Sequence, residues 1–165
     1  MCEQDRVKMR QFKSTDLAEV KSLIHRTIDT CYRGIYCDEA VKFFKEWHCD
    51  QKITENAKEG YTIVLDQNSK VIGTGTIVND EIVGVFVDPA FQKRGFGKLI
   101  MREIEEKAIS LGIGAVKLDA SLSSKQFYDS LGYVTLEETF LVVENNERLD
   151  YYKMEKVFVE QKSHL

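Results

Sequence analysis

Apolar side chains at Leu17, Val20, Ile24, Ile28 and Cys31 recur three and four residues apart, the spacing that lines one face of a helix, and Ser14 or Thr15 stands where its cap belongs. Residues 7–12 ahead of it read as a short first strand. Residues 32–36 break the helical period. A second helical run covers 38–47, with Val41, Phe44 and Trp47 in register, and a more polar stretch follows and ends at Gly60. From Tyr61 the pattern changes: 61–65 and 71–78 are β-rich runs around the turn-forming segment 66–69, and Asn79-Asp80 makes a two-residue turn into 81–87. Three antiparallel strands therefore follow one another, and Gly84 inside the third predicts a bulge or a close backbone approach.

Beyond Pro89 a glycine-bearing turn leads into a helix over 97–111, with Ile100, Met101, Ile104, Ala108 and Leu111 on its buried face and Gly112 as its stop. Residues 115–119 predict a fifth strand and 123–131 a short helix ended by Gly132. Two last strands, 134–143 and 150–157, are joined across the polar segment 144–148. The order β-α-α-β-β-β-α-β-α-β-β describes an α/β protein, a mixed sheet with helices on both faces.

Composition narrows the function. A chain of 165 residues that is 43% hydrophobic and 30% charged, with one proline, reads as a single domain over 1–165 and excludes collagen-like or linker-rich architecture. Apolar runs such as 83–87 fall far short of the roughly 18 residues a membrane helix needs, so no membrane partner is expected. Mixed charge at residues 1–6, with no apolar stretch behind it, predicts a cytoplasmic protein. A net charge of -4 argues against a nucleic-acid partner, because phosphate neutralisation needs a basic face. Four cysteines without a C-x-x-C pair and three histidines without zinc spacing predict no metal, and leave His25 and His48 as ordinary helix-face residues.

The chemically informative segment is 87–98, which joins a buried strand to a helix start through a turn holding Gly95, Gly97, Lys93, Arg94 and Lys98. N–H groups at a helix start lack intrahelical partners and point the same way, and the helix dipole adds positive potential, so the turn suits a pyrophosphate. Glycine at 95 and 97 removes side chains that would hold phosphate oxygens away. It is not an NTPase loop, because Gly97-Lys98 is followed by Leu99 and leaves no hydroxyl for magnesium. It is not a dinucleotide fingerprint either, because Ile100 stands where the third glycine belongs.

Gln92-Lys93-Arg94-Gly95-Phe96-Gly97 resembles the Gln/Arg-x-x-Gly-x-Gly/Ala signature of the GNAT N-acetyltransferases, and Phe127-Tyr128-Asp129-Ser130-Leu131-Gly132-Tyr133 is similar to that family's second element. The resemblance is specific over about residues 81–133. It implies a mostly antiparallel sheet splayed between its fourth and fifth strands, with acetyl-CoA as co-substrate in the splay. Its pantetheine would pair with the backbone of Val85, Phe86 and Val87, and its pyrophosphate would sit on the turn formed by Gln92, Lys93, Arg94, Gly95, Phe96, Gly97 and Lys98. Many members carry an asparagine where this chain has Ser121, and Ser121 and Ser124 stand as substitutes.

The implied reaction is direct attack of a primary amine, on a small molecule or a protein, within a ternary complex. A base must take the amine's proton and an acid should meet the departing thiolate. The resemblance points to Tyr128 as the acid and Glu81 as the base, with Asp119 a weaker candidate for the base. It places the acceptor near residues 25–50 and 140–150, where Tyr32, Tyr36, Trp47, Asp29, Asp38 and Glu39 either favour a cationic amine or are core aromatics and surface acids. A non-catalytic acyl-CoA-binding module is the alternative reading, and the resemblance admits a homodimer.

Overall fold

The hairpins that the β-rich runs predict sit at the centre of a seven-stranded sheet in the order β1-β2-β3-β4-β5-β7-β6, in a computed structural model that describes residues 6–159. The strands are β1 (Val7–Gln11), β2 (Tyr61–Gln67), β3 (Lys70–Val78), β4 (Glu81–Val87), β5 (Ala115–Ser121), β6 (Val134–Val142) and β7 (Arg148–Val157). Every neighbouring pair is antiparallel except β4 and β5. Asn68 and Ser69 take φ of 52° and 63° between β2 and β3, the paired left-handed conformation that matches a hairpin turn to strand twist.

Helices cover both faces. On one side α1 (Leu17–Tyr32), α2 (Asp38–Trp47) and α3 (Asp50–Glu59) pack Val20, Leu23, Ile28, Val41 and Ile53 against Val64, Val71 and Phe86 of the sheet. On the other, α4 (Phe96–Ser110) and α5 (Lys125–Ser130) bury Ile100, Met101, Ile104 and Tyr128 against Ile63, Leu65 and Ile72. The helix α3 lies in what the sequence shows only as a polar stretch. It buries a single residue, Ile53, so no apolar periodicity announces it. No helix among the described residues is long and apolar enough to cross a membrane.

The sheet opens in its middle. The strands β4 and β5 pair only at Glu81↔Lys117 and Ile82↔Leu118, with Lys117 N–H donating to the Asp80 carbonyl at 2.9 Å. The cause lies on the other side of β4, where the β3 register runs Gly75↔Val85 and Thr76↔Gly84 and then jumps to Ile77↔Ile82. Val83 is the extra residue of a bulge beside Gly84, as predicted, and a bulge bends its strand and raises its twist. Meanwhile β5 stays paired with β7 as far as Ser121↔Tyr151. The outer edge of β4 from Val83 to Val87 is left without a neighbouring strand.

Candidate active site

A cleft of about 520 Å³ fills the splay. Of the residues singled out in the sequence, Val85, Phe86, Glu81, Ser121, Ser124 and Tyr128 line it. Val87 packs against the core on the α4 side, and residues 92–98 form the exposed turn beyond the end of β4.

That turn is held by a residue to which the sequence reading gave no role. The Asp88 side chain accepts the Ala90 N–H at 2.9 Å and the Arg26 guanidinium at 2.5 Å, and it is almost fully buried. Burial by itself would raise this carboxyl, but the Ala90 N–H and Arg26 outweigh it and hold Asp88 below the ordinary carboxylate value. Gln92 donates from Nε2 to the Val87 carbonyl at 3.0 Å and so braces the turn against the strand end. Lys93 and Gly95 take φ of 62° and 86°, two left-handed residues that curl the backbone into the start of α4. The first hydrogen bond into α4 runs from Leu99 N–H to the Gly95 carbonyl at 3.1 Å, which leaves the N–H groups of Phe96, Gly97 and Lys98 ahead of it.

The two glycines also answer to their protein surroundings in different ways. A Cβ at Gly95 would meet no protein atom within 4 Å, so within the protein glycine is favoured there by its φ of 86°. A Cβ at Gly97 would fall 3.0 Å and 3.2 Å from the Phe127 ring, so this glycine lets α5 close onto α4.

Packing on that side sets Tyr128. Its ring lies edge-on to Phe127 at 5.1 Å and Tyr133 at 5.7 Å, leaving the residue 7% exposed. The hydroxyl borders the cleft and has no hydrogen-bond partner among the described residues. Burial, and then the neighbouring Tyr32, raise the phenol well above its ordinary value, so it stays protonated through neutral pH. Ser121 Oγ lies 2.8 Å from Ser124 Oγ and 3.1 Å from Ser123 Oγ, and burial raises the Tyr32 phenol while Ser121 partly offsets this.

The aromatic and acidic residues suggested for the acceptor separate into two groups. Tyr32 and Trp47 line the cleft. Tyr36 is a strut: its hydroxyl donates to the Asp150 carbonyl at 2.7 Å and accepts the Leu122 N–H at 2.8 Å, and burial pushes it up to about 12. Asp29 pairs with Lys45 and Arg33, Asp38 with Arg33, and Glu39 accepts from Asn145, all outside the cleft.

Other cleft residues gave little or no signal in the sequence. His48, read as an ordinary helix-face residue, lines the cleft between α2 and α3, edge-on to Phe86 at 5.1 Å, with its carbonyl 2.9 Å from His25 Nε2. Burial, with a smaller contribution from His25, pushes its imidazole down to about 4, so it is neutral at pH 7. Lys52 and Glu59 come from α3, the helix that periodicity did not reveal. Asp119 joins Glu81 on the sheet side, where burial raises its carboxyl and Lys153 partly offsets this.

A sheet parted, among the described residues, at its one parallel strand pair, with a left-handed turn leading into α4 beyond the end of β4, defines a mixed α/β protein with an open strand edge. The family model of the acetyltransferase (GNAT) domain matches residues 32–158, and the chain belongs to that family of acyltransferases. Among solved structures it is similar to a GCN5-related N-acetyltransferase from Rhodopseudomonas palustris, at 19% identity and a TM-score of 0.84, covering 96% of this chain and 99% of that one. YncA from Salmonella typhimurium, solved with its cofactor acetyl-CoA, is similar at 16% identity and a TM-score of 0.67 over 97% and 98% of the two chains. The ribosomal-protein-S18-alanine N-acetyltransferase from Escherichia coli is similar at 16% identity and a TM-score of 0.68 over 97% and 100%. At these identities the likeness is one of fold. No curated protein matches the sequence.

Proposed function

We propose that the protein moves an acetyl group from acetyl-CoA to a primary amine, by direct attack within a ternary complex. The observation that carries this reading is the Tyr128 phenol, buried and held protonated, with its hydroxyl unpartnered at the point where the sheet divides. The ring is buried while the hydroxyl is not among the buried side-chain atoms left without a partner, so it opens on the cleft, where an arriving group can take its proton.

The donor's diphosphate fits the free N–H groups of Phe96, Gly97 and Lys98, with Lys93, Arg94 and Lys98 supplying exposed positive charge around them. Its pantetheine amides pair with the bare edge of β4 at Val85, Phe86 and Val87, and the Ser121 and Ser124 hydroxyls face the arm from the β5 side. The thioester then lies in the cleft beside Tyr128. The amine nitrogen forms a bond to the carbonyl carbon as the C–S bond breaks, Tyr128 gives its proton to the sulfur, and Glu81 receives the proton the amine must lose.

Tyr128→Phe keeps the ring and removes the acid. It is expected to lower kcat by about ten- to a thousandfold while preserving the thermal shift produced by acetyl-CoA. An unchanged kcat would remove Tyr128 from the mechanism. A chain that binds the donor and releases no thiol with any amine would instead be a binding module.

A further inference from the structure

The acceptor half of the cleft has a charge and a texture that restrict what can enter it. Glu59, Glu81 and Asp119 line it, and none of these carboxylates has an ion-pair partner within 4 Å among the described residues. Against them stand two ammonium groups, Lys52 in the lining and Lys153 across the strand from Asp119, because the His48 imidazole is neutral at pH 7. The cleft is therefore net negative: it attracts an ammonium and repels an acceptor that carries a carboxylate or phosphate.

The opposite wall is aromatic. Phe43 and Trp47 of α2 stack at 6.0 Å with 18° between their planes, and Trp47 remains 51% exposed. Phe44 and Phe86 extend the apolar surface. Lys52 Nζ sits 4.8 Å over the Trp47 ring, so a second positive centre lying along this wall would meet a like charge. An uncharged ring or alkyl chain would instead cover exposed indole and displace water from it. The about 520 Å³ must also hold the thioester end of the donor, which leaves the acceptor the room of a small molecule. Independently of the charges, the unpartnered Tyr128 hydroxyl, on a residue only 7% exposed, marks the end of the cleft at which the nitrogen must arrive.

We infer that the acceptor is a small primary monoamine carried on an aromatic or alkyl body, its ammonium drawn in by Glu59, Glu81 and Asp119 and its body laid against Phe43 and Trp47. This rests on the acetyl-transfer reading. Glu81 takes part in both steps, first attracting the ammonium and then accepting its proton.

The test measures thiol release from acetyl-CoA with 2-phenylethylamine, n-hexylamine, spermidine, glutamate and an alanine-initiated peptide. One of the two apolar monoamines should exceed the other three acceptors in kcat/KM by about tenfold or more, the effect of about 1.4 kcal/mol of apolar contact. Trp47→Ala, at an exposed position, should raise KM for 2-phenylethylamine by about five- to tenfold and leave the acetyl-CoA thermal shift unchanged, with Trp47→Phe restoring most of the loss. Lys52→Met should improve spermidine relative to n-hexylamine. A lead for spermidine, glutamate or the peptide, or an unchanged KM in Trp47→Ala, overturns the acceptor class while leaving acetyl transfer in place. Absence of thiol release with every amine, alongside a normal donor shift, overturns both.

Discussion

Replacing Gly97 by valine separates two explanations of the signature's second glycine. If it only clears room for phosphate, the substitution weakens donor binding and leaves the free protein as stable as before. The geometry says otherwise: a Cβ there would already lie 3.0 Å from Phe127 Cζ and 3.2 Å from Cε2, and valine adds two methyl groups beyond it. Overpacking of this kind costs about 1–3 kcal/mol, while the gain in helix propensity over glycine returns about 0.5 kcal/mol. For a domain of this size the balance lowers Tm by about 1–10 °C with no ligand present. Thermal melts of the free protein read this directly, and Phe127→Leu in the same chain should recover part of it. A Gly97→Val protein melting with the parent, or a double variant whose losses simply add, would refute the assignment of Gly97 to the α4–α5 contact. The consequence for activity is indirect, since a displaced α5 carries Tyr128 with it.

Acetyl-CoA at about 100 times its Kd should stabilise the protein by about 2.7 kcal/mol and raise Tm by about 5–11 °C, with ADP competing for the turn; differential scanning fluorimetry measures both. Tyr36→Phe removes the donor to Asp150 and strands the Leu122 N–H, so it should cost about 1–3 kcal/mol in chemical denaturation and leave the amine preference intact. Asp16, held below the ordinary carboxylate value chiefly by its hydrogen bonds to Arg10, contributes stability that is present above its unfolded pKa of about 4 and is lost as pH falls through its lower folded value. Asp16→Asn should therefore cost about 1–3 kcal/mol at pH 7, and its Tm deficit should shrink as pH drops from about 5 toward 2; a deficit independent of pH would contradict the ion-pair account.

How much of the site can be read from the chain depends on the distance over which each feature is encoded. The glycine-bearing turn ahead of α4 was legible because its parts are consecutive: Lys93 and Gly95 take the left-handed curl, and the bare N–H groups follow within three residues. Gly84 was legible as a bulge signal for the same reason, and the bulge lies beside it at Val83. By contrast α3 escaped notice, because a helix that buries only Ile53 leaves no periodic trace, and Glu59 and Lys52 reach the cleft on it. Tyr36 stayed open between recognition residue and core aromatic because its two hydrogen bonds go to Leu122 and Asp150, far along the chain.

The order of elements along the chain, the helix faces, the hairpin turns and the glycine-bearing turn ahead of α4 were thus determined by the sequence itself, since periodicity and the left-handed preferences of glycine and asparagine act over a few residues. Only the tertiary structure decided how far β4 and β5 part, that Gly97 serves Phe127, that the Tyr128 hydroxyl is left without a partner, and that three carboxylates from β4, β5 and α3 face an aromatic wall from α2. These depend on side chains meeting across the sheet, where packing sets position and burial sets protonation, and neither is written in the spacing of residues along the chain.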